Sequence, residues 1–173
     1  MRRELAGSLA FAVLVAAGCG GDHAREVPPG TIALVGDRAI ARAEFDAELA
    51  RAKRAYAARG QQFPRPGTGA YRQLRDAAIR LLVDRARLEL EAGRAHVAVT
   101  PAQVDARLRA LVRRSYGGDE GRFREQLRRT GMREVDVREA IRYELLAAAL
   151  PGAPSTSPPE VTYAPGFEPA GGG

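Results

Sequence analysis

The chain has 173 residues, of which 45% are apolar and 28% are charged, and its 27 basic and 21 acidic residues give a net charge of +6. This length and balance are typical of one folded domain with flexible ends, and they exclude several large domains. All basic residues except Lys53 are Arg, and they alternate with Glu and Asp along the predicted helices. We expect them to form a solvated face; the alternative is weak attraction to anionic lipid headgroups or cell-wall polymers.

The first 18 residues have the pattern of a secretory signal peptide. Arg2 and Arg3 provide a positive start, and an apolar run follows over residues 5–17 that is too short to span a bilayer comfortably. We therefore exclude residues 1–18 from the fold. Because an exported chain rarely meets nucleic acid, we expect no nucleic-acid partner.

The only cysteine, Cys19, directly follows this run in the sequence LVAAGC. The stretch resembles the lipobox of bacterial lipoproteins, although Ala16 stands where that pattern most often has Leu. The resemblance implies a diacylglycerol-linked Cys19 that anchors the exported chain to the outer face of the cytoplasmic membrane, or to the periplasmic side of a membrane. Residues 19–30 would then be a lipidated N-terminus and flexible tether. The alternative is ordinary signal cleavage nearby, which leaves a free thiol.

A hairpin and a helix are predicted at the start of the folded part, residues 31–150. Two short apolar runs flank Gly36 and Asp37 within residues 32–40, which favours a tight β-hairpin. Over residues 43–59, apolar side chains recur at the spacing of one helix face. Ala41 stands where a Ser or Thr would cap this helix, at a cost of about 1 kcal/mol. Two prolines then make residues 60–69 a loop.

The stretch from Tyr71 to Ala92 predicts a long central helix with an apolar surface over most of its circumference. Such a helix must be wrapped by others. Arg75, Arg85 and Glu89 interrupt the apolar arc, so part of it must reach the surface or be covered by long aliphatic side-chain stems.

Three further helices and a tail are predicted from their boundaries. Thr100-Pro101-Ala102-Gln103 forms a capping box with Pro at the first helical position, and this helix ends near Tyr116. Asp119 caps a shorter helix that Gly131 closes, and Glu134–Leu150 is the last helix. Residues 151–173 are rich in Pro, Gly and Ser, which predicts a disordered tail.

The predicted fold is therefore mainly α, a small bundle of about five helices around one long central helix, with a short N-terminal β-hairpin. Its inventory of catalytic groups is thin. His23 and His96 have no second His or Cys at a ligand spacing, so we expect no metal site, and there is no phosphate-binding glycine motif. We expect no catalytic residue and no cofactor on this chain.

Three stretches, VGDRAIARAEFDAEL, LVDRARLELEAGRAHVAVTPAQVDARL and GGDEGRFREQLRRTGMREVDVREAIRYELL, together resemble the N-terminal domain of SurA/PrsA-type foldases. The shared order is a strand pair ending in Ile, a helix opening with Glu-Phe, a Leu-rich helix, a Val-Thr helix start and a helix opening with Asp-Val-Arg. Gly36 and Ala41 depart from the usual turn and cap residues.

This resemblance implies a chaperone-like domain that binds unfolded segments of exported polypeptides. It also implies a binding groove on the central helix, where Arg75, Arg85 and Glu89 interrupt the apolar arc. In that family a parvulin-type prolyl isomerase domain commonly follows, and we expect it to be lacking here, so isomerase activity is not carried over. Two alternatives stay open. In the first, the chain is a shortened relative of a prolyl isomerase that works only with a separate catalytic subunit, or it is a truncated relative. In the second, it is a lipoprotein scaffold that docks one specific partner.

Aromatic side chains and one charge are the candidate peptide contacts, because aromatic rings supply large apolar area at low entropic cost. For each aromatic candidate the alternative is a place in the core. The candidates are Tyr56, Phe63, Tyr71, Arg75, Tyr116 and Phe123.

Overall fold

The computed structural model describes residues 26–150 and 159–170, and it confirms a mainly helical fold. The predicted signal peptide and Cys19 lie outside the described residues, as do residues 151–158 and 171–173. The described elements, in chain order, are β1 (Thr31–Val35), β2 (Arg38–Ala41), α1 (Arg42–Ala58), α2 (Gly69–Arg94), α3 (Pro101–Tyr116), α4 (Glu120–Thr130), α5 (Glu134–Ala149) and β3 (Val161–Tyr163).

The predicted disorder of the C-terminal tail is wrong for residues 159–170. Residues Val161–Tyr163 form β3, which pairs antiparallel with β1 and completes a three-stranded sheet of order β2-β1-β3. The Pro and Gly content predicted disorder, but β1 has a second edge whose backbone groups need partners. The sequence Val-Thr-Tyr favours a strand, and the backbone of that strand supplies these partners.

Side-chain caps fix the starts of three helices. Thr68 Oγ1 accepts a hydrogen bond from Tyr71 N at 3.2 Å, and α2 therefore begins two residues earlier than predicted. The predicted capping box of α3 is confirmed: Gln103 N donates to Thr100 Oγ1, and Thr100 N donates to Gln103 Oε1 at 2.7 Å. Asp119 caps α4 as predicted.

The start of α1 has no side-chain cap at Ala41, as predicted, but it is held in another way. Ala41 N donates to the Glu44 carboxylate at 3.0 Å, and the Arg38 guanidinium donates to both oxygens of Glu44 at 3.2 and 3.0 Å. The hydrogen bond with Glu44 is also the main reason why the pKa of Arg38 is raised. These bonds join β2 to α1 without a capping hydroxyl.

The buried apolar residues form two clusters. The first lies between the sheet, α1 and α2, and its least exposed members are Ile32, Ala33, Val35, Ile40 and Ile79. The second is built from α3, α4 and α5, around Val104, Leu108, Val112, Phe123, Leu127 and Ile141. The long helix α2 thus supplies the first core directly and meets the second group of helices through α5.

Gly131 marks the point where α4 approaches α1. Its φ of +70° lies in the left-handed region, and a Cβ there would lie 2.4 Å from the carbonyl oxygen of Arg54. Only glycine allows both this backbone conformation and this close contact. The absence of a side chain at this position therefore allows the end of α4 to pack closely against α1.

Candidate peptide-binding site

Three of the predicted aromatic contacts come together at one end of α1 and α2. Tyr56 lies near the end of α1, Phe63 in the connecting loop and Tyr71 near the start of α2. The Phe63 ring centroid lies 5.6 Å from that of Tyr56 and 6.3 Å from that of Tyr71, with both contacts edge to face. We call Tyr56, Phe63 and Tyr71 the aromatic cluster.

The aromatic cluster is half-buried, since each of its three side chains keeps part of its surface in solvent. The Arg59 guanidinium lies over the Tyr56 ring, 5.5 Å from its centroid, and places a positive charge beside the aromatic cluster. Edge-to-face rings fix one another's orientation, so their exposed apolar area costs little entropy when another chain covers it. Such a surface can bind apolar or aromatic side chains with little dependence on sequence.

The other two aromatic candidates form a separate pair on α3 and α4. The ring centroids of Tyr116 and Phe123 lie 5.5 Å apart. Phe123 is only 4% exposed and packs in the second core, so it offers almost no surface to a peptide. Tyr116 is half-buried beside it.

Arg75 binds the C-terminal segment of the chain itself. Its guanidinium donates to the carbonyl oxygens of Gly166 and Glu168 at 3.0 and 3.2 Å, and also to Asp76. We call residues 159–170 the strap, because they cross the first core from β1 to the start of α2. The hydrogen-bond donors of Arg75 are therefore already bonded to the strap and to Asp76.

Asp76 lies beneath the end of the strap and is 5% exposed. Its carboxylate accepts hydrogen bonds from Arg75 and from Ala170 N, the latter at 3.1 Å. Burial by itself would raise the pKa of Asp76, but the bonds from Arg75 and Ala170 outweigh it and hold that pKa below its usual value.

The charges predicted to line a groove on α2 are instead paired within the domain. Arg85 lies 2.6 Å from Glu48 and 3.1 Å from Glu139. Glu89 accepts hydrogen bonds from Arg38, Arg142 and Tyr143. These partners come from β2, α1 and α5, and the periodicity of one helix contains no signal that could have found them.

Burial favours the neutral form of Glu89, yet the pKa of its carboxyl is lowered because Tyr143, Arg38 and Arg142 donate hydrogen bonds to the charged form. The cavity beside Arg85 has a volume of about 140 Å³. That volume holds a few waters and no peptide segment. Among the residues that the structure describes, this region is thus a structural ion-pair network.

A larger groove lies between α3, α4 and the start of α5, with a volume of about 510 Å³. Leu108, Val112 and Phe123 form its floor. Arg109 and Arg113 on its rim are exposed, whereas Arg138 on the same rim is paired with Asp105 and Glu134. Sequence reasoning missed this groove, because its apolar floor reads as an ordinary helix face.

Within residues 26–150 and 159–170, no group of three or more His, Cys, Asp or Glu side chains is placed to hold a metal ion. None of the helices in that same part of the chain is long and apolar enough to cross a membrane.

The fold is a small helical domain with a three-stranded antiparallel sheet, and it carries a half-exposed aromatic cluster at one end of α1 and α2. A model of the SurA-like N-terminal domain family matches residues 5–151, which is most of the chain. The chain therefore belongs to this chaperone-type family, as the sequence resemblance predicted. The match begins inside the predicted signal peptide and ends before the strap. Comparison with curated proteins and with solved structures gives no match.

Proposed function

We propose that this domain binds unfolded segments of exported polypeptides outside the cytoplasmic membrane and keeps them from aggregating. Family membership supports a chaperone-type role. The observation that carries the proposal is the aromatic cluster, in which side chains from α1, the loop and α2 form one half-exposed apolar surface.

The test is aggregation of a chemically unfolded secreted protein, followed by light scattering as it is diluted from urea into the purified chain. We expect suppression at a few-fold molar excess of the domain. Replacement of Phe63 by Ser removes the ring that touches both tyrosines, and suppression should fall several-fold. No suppression by the unaltered chain would refute the proposal.

Leu81→Ser is the matched control. Leu81 is 40% exposed on α2 and lies ten residues, about 15 Å along the helix, from Tyr71. The Leu81→Ser substitution removes an exposed apolar side chain that lies far from the aromatic cluster. Equal loss of suppression in the Leu81 and Phe63 variants would show that the aromatic cluster has no special role.

We further propose that Cys19 carries the lipid that anchors the chain to a membrane. The position of the only cysteine at the end of the apolar leader supports this. Cells that express the chain and are fed a labelled fatty acid should yield a labelled protein, and Cys19→Ser should abolish the label. Persistence of the label in that variant would refute the anchor.

A further inference from the structure

We propose that the strap occupies a peptide-binding groove of this domain, and that an extended segment of an unfolded polypeptide displaces it and binds there. This inference rests on the proposed function and gives it a site: the second edge of β1 together with the faces of α1 and α2 beside it. The ligand class is an extended chain that carries two aromatic or apolar side chains four residues apart.

The groove holds the strap mainly through its backbone. Gly36 N donates to the Glu160 carbonyl oxygen at 2.9 Å, and Ala164 N donates to the Ile32 carbonyl oxygen at 2.8 Å. Further along, Arg75 binds two strap carbonyls. Any extended chain offers the same backbone groups, so these bonds give affinity without sequence selection, as in strand addition to a sheet edge.

Two ring positions of the strap supply the apolar contacts. Tyr163 lies opposite Ala33 in the register of β3 on β1, and it packs on the first core. Phe167 makes an edge-to-face contact with Phe45 at 5.4 Å, and Arg42 lies over its ring at 5.2 Å. The groove thus has two places for side chains spaced by four residues.

The end of the strap lies close to the aromatic cluster along the axis of α2. The strap ends at Ala170, which binds Asp76, and Asp76 lies five residues, about 7.5 Å along α2, from Tyr71. Residues five apart are also about 140° apart around the helix, so Asp76 and Tyr71 lie on different faces of α2.

The strap lies at the surface, where another polypeptide can displace it. Residues Val161–Ala164 are half-exposed, and Gly166 and Glu168 are exposed. The strap is covalently attached beyond α5, so it competes as an intramolecular ligand at an effective concentration that is typically in the millimolar range. An unfolded segment binds more tightly when the contacts of the strap are weakened.

The test is to lock the strap. Val35 and Val161 face each other in the register between the two hydrogen-bonded pairs Ile32–Ala164 and Gly36–Glu160. At such a non-hydrogen-bonded position the Cα atoms lie about 4.5 Å apart, within the range of a disulfide. The full chain with Cys19→Ser, Val35→Cys and Val161→Cys is compared in its oxidised and reduced forms, and circular dichroism confirms that both are folded.

The probe is a fluorescein-labelled peptide with the sequence of residues 159–170, PEVTYAPGFEPA. We expect at least tenfold weaker binding to the oxidised form than to the reduced form. Phe167→Ala in the full chain should bind the probe several-fold more tightly than the unaltered chain. A probe with both aromatic residues changed to Ser should bind weakly to all forms.

Equal binding of the probe by the oxidised and reduced forms would overturn the proposal. The aggregation assay separates this failure from failure of the proposed function. An oxidised form that binds no probe but suppresses aggregation fully shows that unfolded chains use another surface, which also overturns this inference while the proposed function stands. Loss of both activities on oxidation, with both restored by reduction, supports it.

Discussion

Replacement of Asp136 by Asn should destabilise the domain by about 3 kcal/mol at pH 7. Asp136 lies at the start of α5 and is 2% exposed. Its carboxylate accepts a hydrogen bond from Arg133 N at 2.8 Å, and the guanidinium groups of Arg51, Arg54 and Arg133 lie within 3.1–3.3 Å. Asn keeps the backbone bond, but it leaves three cations without their shared anion.

The pH dependence identifies the charge as the cause. Burial would raise the pKa of Asp136, but the hydrogen bonds from Arg133, the charge of Arg51 and the hydrogen bond from Arg54 lower it to about 2. Because this pKa is below the value of about 3.9 in the unfolded chain, the stabilisation is present above pH 4 and is lost as pH falls toward 2. The full loss is about 2.6 kcal/mol, of which about 1.8 kcal/mol has occurred by pH 2.5.

Urea unfolding of the unaltered chain and of Asp136→Asn, followed by circular dichroism at pH 7, 5, 3 and 2.5, measures both effects. The stability difference should shrink from about 3 to about 1 kcal/mol across this range. Asp84→Asn is the control, because the Asp84 side chain is 71% exposed, and it should change stability by less than about 0.5 kcal/mol. A difference that does not vary with pH would refute the argument.

Three further predictions concern two positive-φ positions and one helix cap, and thermal unfolding checks each of them. Gly131→Ala should lower the free energy of unfolding by about 3 kcal/mol, because the added Cβ would clash with Arg54 and the φ is positive. Gly117 is the control, since it has a φ of +65° but open space around it, and Gly117→Ala should cost only about 1 kcal/mol. Equal losses of stability in the two variants would contradict the contact with Arg54. His96, which follows α2, has a φ of +54°, so His96→Gly should stabilise the domain by about 0.5–1 kcal/mol, and a loss would contradict strain there. Thr100→Ala should cost about 1 kcal/mol through the lost cap of α3, and no change would contradict that role.

The helices were predictable because their signals are local. The Thr100 capping box, the Asp119 cap and the Gly131 stop each lie within a few residues of the boundary that they set. The apolar spacing of α1 and α5 likewise comes from single elements. Such signals need no knowledge of the partner that covers the helix.

The strap and the ion pairs were not predictable in this way, because their partners are distant in sequence. The strand at Val161–Tyr163 is specified by the open edge of β1, about 130 residues earlier. Asp76 resembles a solvated helix residue until Ala170 covers it. The aromatic cluster is an intermediate case: its residues were chosen for their chemistry, and only the turn between α1 and α2 shows that they meet.

Hydrogen exchange of the full chain, with and without a permanently unfolded secreted protein, tests the central claim most directly. We predict slower exchange around Tyr56, Phe63 and Tyr71 when the unfolded protein is bound. The amides of Ala164 and Ala170, which the strap bonds now protect, should exchange faster. Exchange that is unchanged at both places, under conditions where the unfolded protein is held in solution, would contradict the account.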